Sequence, residues 1–263
     1  MFKVEKVDES NKKCVIDFLK SDIIRHVFAF YDIQHEPEHT TLYGAFENED
    51  LRGYILTYKA LEFPSVVLEC ESDVAAKLIK LAPENRFIMH APLNLLPVIK
   101  ERFPNSKHYV EHWMLVRKGQ ANYFQSKFVH KLRSKDDASK LATLLSTLQN
   151  RPRGIAERYV DWIGKMPVYG VFINDELVSY AGSFLQLPEI WMIGGVYTNP
   201  NRRNKDYAAI ATSAVTKDAL KKAETAALFV RSDNYPAIRV YDKIGYRKVG
   251  GKLWVDVGTG LRP

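Results

Sequence analysis

Apolar and polar residues alternate in two short segments of the chain, and the two segments resemble each other. Residues 43–54 read YGAFENEDLRGY, and residues 169–180 read YGVFINDELVSY. Each segment alternates around a central asparagine, which is typical of two antiparallel strands joined by a tight turn. The pattern therefore predicts a β-hairpin in each half of the chain.

The two predicted hairpins are related by a constant offset of 126 residues, counted from Tyr43 to Tyr169. A strand pattern and two helix patterns precede each hairpin in the same order: Phe2–Val7, 10–20 and 22–31 before the first, and Phe128–Leu132, 136–148 and 153–164 before the second. Two unrelated hairpins could share a few residues by convergence, but the matching flanks favour duplication. The polar segment 118–127 then suits a linker, which predicts domains at 1–122 and 123–263.

A strand, a basic loop and a helix follow one another in the second half. Residues 190–198 (IWMIGGVYT) predict a strand because they are rich in β-branched and aromatic residues. The loop 199–206 holds three cationic residues, and a helical pattern begins at Tyr207. A loop that leads into a helix N-terminus directs backbone N–H groups towards an anion. The sequence therefore predicts an anion-binding loop here.

A second strand and helix complete this pattern. Residues 225–230 predict a buried strand, and a capped helix follows it. Asn234 is suited to the N-cap, Pro236 to the first turn and Gly245 to the C-terminal end.

These motifs resemble those of the GNAT (GCN5-related N-acetyltransferase) superfamily. Residues 196–208 are similar to the family's Val-x-Thr/Val-x-Pro strand end and its Arg-Gly-x-Gly loop. The family's Asn-x-x-Ala-x-x-x-Tyr-x-x-x-Gly-Phe/Tyr signature is matched by Asn234, Ala237, Tyr241, Gly245 and Tyr246. The resemblance implies an α/β fold of two tandem GNAT-like domains, similar to the glycine N-acyltransferase-like (FR47-like) branch. Each domain is then a mixed, mostly antiparallel sheet flanked by helices, with two central strands that splay apart to admit the acyl arm.

The resemblance also implies roles for individual residues. The catalytic candidates are Tyr241, as the acid that protonates the leaving thiolate, and Glu189, as a general base. The backbone of Val196–Thr198, at the end of the predicted strand 190–198, pairs with the pantetheine arm. A backbone N–H of the same segment polarises the thioester carbonyl. The predicted cofactor-binding residues are Val196, Tyr197, Thr198, Arg202, Arg203, Asn204, Lys205, Asp206, Tyr207, Ala208, Asn234 and Ala237.

Two positions depart from the family pattern, since Asn204 and Asp206 stand where the family has glycines. Asparagine tolerates a left-handed backbone better than most residues, so we expect Asn204 to keep the turn. The Asp206 carboxylate is expected to occupy the phosphate position or repel the phosphate, at a cost of about 1–4 kcal/mol. The nearby cations offset part of this repulsion.

The first half lacks the phosphate loop. Residues 70–82, which the offset aligns with 196–208, read CESDVAAKLIKLA and contain acidic residues in place of basic ones. We therefore expect this half to be a degenerate GNAT-like domain that packs against the second half and shapes the acceptor pocket.

Composition and charge narrow the function classes. The net charge is +7 and the pI is about 9.2, which suits a polyanionic partner such as coenzyme A. The basic residues are scattered, so a nucleic acid partner is disfavoured. No apolar run is long enough to span a bilayer and no signal-peptide pattern is present, so a cytoplasmic location is expected and no membrane partner is predicted. The histidines and cysteines form no metal-ligand spacing, so no metal is predicted.

Together these features predict an N-acyltransferase that moves an acyl group from acetyl-CoA or another acyl-CoA to a primary amine by direct attack. Two alternatives stay open at this point. One is a non-catalytic protein of the same fold that binds a ligand or partner, and the other is a transferase that uses aminoacyl-tRNA. The sequence does not reveal the acceptor, the acyl chain length or the oligomeric state.

Overall fold

A computed structural model describes residues 2–148 and 156–260. The chain forms two compact units. The first unit contains residues 2–112 and 250–260, and the second unit contains the described residues between 113 and 249. Residues 250–260 group with the first unit because Leu253–Val257 pair antiparallel with Phe87–Ala91. The predicted division at residues 122/123 concerns the duplicated sequence and stays a prediction, whereas the compact units divide between residues 112 and 113 and again between residues 249 and 250.

The first unit is a sheet with helices. Its helices are α1 (Lys12–Ser21), α2 (Val27–His35), α3 (Ser72–Leu78) and α4 (Leu96–Arg102). Its strands are β1 (Lys3–Lys6), β2 (Thr40–Glu47), β3 (Asp50–Tyr58), β4 (Ser65–Cys70), β5 (Phe87–Ala91) and, from residue 250 on, β12 (Arg247–Val257). The strand order is β1-β2-β3-β4-β5-β12, and only the β4–β5 pairing in this order is parallel.

The second unit has the same kind of architecture. Its helices are α5 (Lys135–Leu145), α6 (Ala156–Lys165), α7 (Tyr207–Lys222) and α8 (Tyr235–Ile244). Its strands are β7 (Val129–Lys131), β8 (Val168–Ile173), β9 (Glu176–Gln186), β10 (Ile190–Thr198), β11 (Thr225–Arg231) and, from residue 113 on, β6 (Lys107–Arg117). The strand order is β6-β11-β10-β9-β8-β7, with β10–β11 parallel. The predicted fold of two mixed, mostly antiparallel sheets is confirmed.

Both predicted hairpins form, and they share backbone detail. The two turn residues have positive φ in each case: 50° and 73° at Asn48 and Glu49, and 50° and 66° at Asn174 and Asp175. Such values are typical of the two-residue turns that match the twist of the flanking strands. A register shift also recurs at equivalent places, between Ala45/Phe46 and between Val171/Phe172. The repeat in the sequence is thus accompanied by a repeat in the backbone.

The other predicted helices of both halves also form, and the largest change is in the helix predicted at 22–31, which begins five residues later. The helices predicted at 10–20, 22–31 and 136–148 correspond to α1, α2 and α5, with α2 shifted to later residues. The helix predicted at 153–164 corresponds to α6, and residues 153–155 of that prediction lie outside the described residues. None of the helices described has an apolar stretch long enough to cross a bilayer.

Candidate functional site

Strands β10 and β11 diverge part-way along their length. Their parallel pairing covers Ile190–Met192 and Thr225–Ala227. Beyond Met192, β10 continues against β9, with which Tyr197 and Thr198 are still paired. Side chains of the first four residues of β10 are buried, whereas Val196, Tyr197 and Thr198 are only partly buried. The edge of β10 that faces β11 is therefore open along its second half, which makes a cleft suited to an extended chain.

A bulge at Gly195 shapes the open part of β10. The residue has a φ of 64°, and the register with β9 shifts between Gly194 and Tyr197. A Cβ atom at this position would lie 3.2 Å from the Tyr180 ring. Glycine adopts this backbone conformation without strain, and such a bulge re-aims the groups that follow it.

The three residues after the bulge alternate between the two faces of the sheet, as strand geometry requires. Val196 packs against the same hydrophobic cluster as Tyr241, together with Tyr207 and Ala237. The Tyr197 side chain packs against the other cluster of the second unit, and its hydroxyl lies 2.8 Å from Thr147 Oγ1. The structure therefore brings four of the predicted site residues together on one face, while Tyr197 contributes only its backbone there.

The loop after β10 has left-handed backbone at both positions where the family has glycine. The φ angle is 62° at Asn204 and 55° at Asp206. Before them, the side chain of Asn199 accepts a hydrogen bond of 3.0 Å from the Asn201 N–H and opens a short 3-10 turn. L-residues rarely adopt such angles. The loop therefore has the backbone conformation that glycine favours, although Asn204 and Asp206 occupy these positions.

Helix α7 presents unpaired donors to this loop. Its first backbone hydrogen bond runs from the Ile210 N–H to the Asp206 carbonyl, at 2.9 Å. The N–H groups of Tyr207, Ala208 and Ala209 precede it and have no acceptor within the helix. No side chain of the described residues caps this end of the helix. The helix N-terminus therefore offers N–H groups and a partial positive charge to an anion.

The Asp206 carboxylate accepts no hydrogen bond from these donors. It forms an ion pair with Lys243 on α8, with 2.9 Å between Lys243 Nζ and Asp206 Oδ1. Both side chains are about half exposed. The carboxylate therefore leaves the N–H groups at the start of α7 without a side-chain partner, and Lys243 balances part of its charge.

The three cations of the loop have different surroundings. Arg202 pairs with Glu176 at the start of β9, so its charge is already balanced. The Arg203 Nε donates a long hydrogen bond of 3.5 Å to the Thr198 carbonyl. Lys205 is exposed and has no hydrogen bond or ion pair with any described residue. Arg203 and Lys205 are thus the cations with capacity left for a phosphate.

Helix α8 carries Tyr241 into the interior of the second unit. The Tyr241 side chain is 6% exposed, and its ring meets the Tyr246 ring edge-on at 6.1 Å between centroids. Burial raises the pKa of Tyr241 well above its ordinary value, so its hydroxyl stays protonated at neutral pH. At the start of the same helix, the Asn234 side chain caps the Ala237 N–H at 3.3 Å.

The structure does not bring Glu189 to the same place. It lies exposed in the turn before β10, where its carbonyl accepts a hydrogen bond of 3.1 Å from the Thr225 N–H. Val196 is seven residues further along an extended strand, which corresponds to roughly 20 Å. At that separation a carboxylate cannot take a proton from an amine at the cleft.

The sequence analysis missed two residues that shape this site, although each lies at a recognisable place in the sequence. Gly195 follows another glycine inside an otherwise β-branched strand, which indicates a bulge or a close backbone approach. Lys243 lies inside the second signature, two residues after Tyr241, but its partner Asp206 is remote in sequence. Elsewhere among the described residues, the partly buried Glu36 and the exposed Glu38 and His39 are close enough to share an ion, and nothing else suggests a metal there.

Several solved structures are similar to the whole chain. A Drosophila melanogaster protein has a TM-score of 0.75 at 13% identity, covering 98% of this chain and 99% of that chain. A tandem GNAT protein from the clavulanic acid biosynthesis pathway has a TM-score of 0.63 at 10% identity, covering 100% of both chains. A GNAT-family acetyltransferase from Colwellia psychrerythraea has a TM-score of 0.62 at 13% identity, covering 97% and 99%. The chain therefore has the tandem GNAT fold.

A family comparison agrees with this class. Residues 168–255, about a third of the chain, match the family described as FR47-like protein. The match runs from β8 to β12 and includes the cleft beside β10, the loop 199–206 and helices α7 and α8. A comparison with curated proteins finds no match. The resemblance to the GNAT superfamily and to its FR47-like branch is confirmed.

Proposed function

We propose that this protein is an N-acyltransferase that moves an acyl group from acyl-CoA to a primary amine by direct attack. The observation that carries the proposal is the continuity of three features in the second unit. The open edge of β10 leads into a loop with left-handed backbone at Asn204 and Asp206, and the loop leads into the uncapped start of α7. Such a path suits an extended thiol arm that ends in a diphosphate.

Each part of this path has a role in the proposal. The backbone of Val196, Tyr197 and Thr198 pairs with the pantetheine arm along the open edge of β10. The N–H groups at the start of α7 hold the diphosphate, and Arg203 and Lys205 add positive charge beside it. The Asn234 side chain uses its oxygen as a cap, which leaves its Nδ2 as a donor to the arm.

The proposed chemistry is a single displacement at the thioester carbonyl. A backbone N–H of the strand end after the bulge polarises the carbonyl oxygen, where negative charge develops. The neutral amine forms the new C–N bond, the C–S bond breaks, and the Tyr241 hydroxyl gives its proton to the departing thiolate. The attacking nitrogen releases its extra proton to solvent, and Tyr241 regains a proton from solvent. Glu189 has no part in this scheme because of its distance from Val196.

Calorimetry with acetyl-CoA tests the proposal first, with acetyl-pantetheine as the matched ligand that lacks the diphosphate and the nucleotide. We expect saturable binding of acetyl-CoA and much weaker binding of acetyl-pantetheine, because the α7 donors and Lys205 then have no anion to bind. A Lys205→Gln variant is expected to weaken acetyl-CoA binding a few-fold, as removal of one exposed cation does. Absence of acetyl-CoA binding would sink the proposal.

Turnover is measured separately, by chromatographic detection of free CoA with a panel of primary amines. Thiol reagents are less suitable because Cys14 is an exposed free cysteine. CoA release that depends on the amine supports the transferase. Tight acetyl-CoA binding without release under any amine would instead favour a non-catalytic binding protein.

Replacing Asp206 by asparagine is expected to increase acetyl-CoA affinity by up to about tenfold, or 1.4 kcal/mol. The change removes a negative charge beside the proposed diphosphate site and releases Lys243 to act as a further cation. Asparagine also tolerates the left-handed backbone at this position. The measurement is the dissociation constant by calorimetry.

The matched control is Asp161→Asn on α6, which changes the net charge equally at an exposed position in the same unit. We expect it to leave the dissociation constant unchanged. Weaker binding by Asp206→Asn would contradict this prediction and would show that the ion pair with Lys243 maintains the conformation of the loop.

A further inference from the structure

The first unit contains a cavity that the proposed transfer reaction does not use. Its volume is about 240 Å³, and all of its lining residues belong to the first unit. Phe18 and Leu51 supply apolar wall, and the remaining lining is largely charged. A single water needs only about 10–15 Å³ measured in this way, so the space suits a small organic molecule.

The cavity lies at the end of β4, which the 126-residue offset aligns with the strand that bears the thioester cleft in the second unit. The parallel pairing of β4 with β5 ends at Val67 and His90, so here too the strands stop pairing part-way. Strand β4 ends at Cys70, and α3 begins at Ser72, so no loop of N–H groups intervenes. This end of the first unit has therefore kept an opening but not a place for a diphosphate.

The buried carboxylate beside the cavity already has its partners. Glu69 is 4% exposed, and its Oε1 accepts hydrogen bonds from Nε of Arg25, at 3.0 Å, and from Nη2 of the same residue. Lys252 Nζ lies 3.5 Å from its other oxygen. Glu69 thus has little capacity left for a ligand cation, and it holds the Arg25 guanidinium in place against the cavity.

The hydrogen bond of His26 to Tyr54 determines which nitrogen of the imidazole is a donor. The Tyr54 hydroxyl is fully buried and lies 3.0 Å from His26 Nδ1, with no other hydrogen-bond partner among the described residues. A buried hydroxyl proton needs an acceptor, so Tyr54 donates and Nδ1 accepts. The proton of the neutral imidazole is then on Nε2, which has no bond to any described residue. The Phe18 ring, 5.0 Å away, helps to fix the orientation of the imidazole.

Arg52 completes the set of donors. Its side chain is 44% exposed, and its contacts with Glu47 and Glu71 are loose, at 3.9 and 4.0 Å. The side chain of Glu71 is itself 76% exposed. The inner wall of the cavity therefore offers N–H donors in excess of acceptors, including two planar guanidinium groups.

We propose that this cavity binds a small carboxylate monoanion, held by the Nε2–H of His26 and by the guanidinium groups of Arg25 and Arg52. Guanidinium groups match the planar carboxylate with paired hydrogen bonds. The volume of 240 Å³ restricts the ligand to a molecule smaller than the usual drug-sized ligand.

The test uses the whole chain with ¹⁵N-labelled histidine, and sodium propionate as the probe. Long-range ¹H–¹⁵N spectra report the tautomer of each imidazole, and a His26→Gln variant assigns the signal. We expect His26 to be neutral with its proton on Nε2, and its Nε2 signal to shift saturably with propionate. Propionamide, the uncharged analogue of nearly equal size, should produce no comparable shift.

Two variants make the test specific. Arg52→Gln should raise the apparent dissociation constant for propionate about tenfold or more. Arg102→Gln removes the same charge elsewhere in the first unit and should leave it unchanged, since Arg102 lies over the Phe103 ring and not at the cavity. A proton on Nδ1, equal responses to propionate and propionamide, or no response to either would overturn the proposal.

Discussion

Replacing Tyr241 by phenylalanine is expected to lower kcat for acyl transfer about 100-fold, the usual minimum loss when a general acid is removed. The acetyl-CoA dissociation constant should not change, because the proposed proton transfer occurs only as the C–S bond breaks. Stability should also hold, since the hydroxyl has no hydrogen bond with the described residues and the ring keeps its packing. Steady-state kinetics, calorimetry and thermal unfolding measure the three quantities.

Tyr246→Phe is the matched control. Tyr246 is buried as Tyr241 is, but its hydroxyl lies 2.7 Å from Thr216 Oγ1. Loss of that bond should lower the free energy of unfolding by about 1–2 kcal/mol while kcat stays near the original value. Tyr241→Phe should therefore lower kcat without loss of stability, and Tyr246→Phe should lower stability without loss of kcat. Unchanged kcat in Tyr241→Phe would remove this residue from the mechanism.

The pH profile gives a further signature of Tyr241. Burial raises the pKa of its hydroxyl, so the protonated, active form persists to higher pH than for an exposed tyrosine, whose pKa is about 10. Activity that depends on this proton is lost only as the pH rises through the raised value. The wild-type kcat should accordingly show no alkaline fall below about pH 10 that is due to this group.

Gly245→Ala is expected to lower the free energy of unfolding by about 2–5 kcal/mol, the sum of a left-handed backbone penalty and a steric clash. Gly245 ends α8 with a φ of 106°, and a Cβ atom there would lie 2.6 Å from the Gln120 carbonyl oxygen. Its N–H and that of Tyr246 both bond to the Tyr241 carbonyl, at 3.2 and 3.0 Å. Any shift to relieve the clash would therefore disturb the turn that carries the proposed acid.

Gly164→Ala on α6 is the control for this substitution. Among the described residues, no atom outside the neighbouring helix backbone lies within 4 Å of a Cβ placed there, and the backbone is not in the left-handed region. Alanine favours a helix, so we expect no loss of stability and a gain of up to about 1 kcal/mol. Thermal unfolding of the two variants measures both effects. Equal stabilities would show that the α8 end tolerates a side chain, contrary to its geometry.

Local patterns were sufficient to predict much of the second unit. Strand β10 has the predicted bounds, and the cap at Asn234 and the ending at Gly245 fall where the sequence placed them, because each depends on neighbouring residues. The hairpin turns were predictable for the same reason, since asparagine begins both and tolerates positive φ.

Features that depend on residues far apart in sequence were not predictable. The pairing of Asp206 with Lys243 requires α7 and α8 to be placed first, and it decides whether the carboxylate obstructs the loop. The Tyr54–His26 contact likewise joins β3 to the residue before α2.

The pairing of β12 with β5 has a consequence for synthesis of the chain. A growing polypeptide emerges N-terminus first, and domains generally fold as they appear. Strand β5 can pair with its antiparallel neighbour only after residues 253–257 have been translated. During that interval an uncovered strand edge is a template for pairing with other chains. The N-terminal part of this protein is thus expected to need protection by chaperones on the ribosome for longer than its early position would suggest.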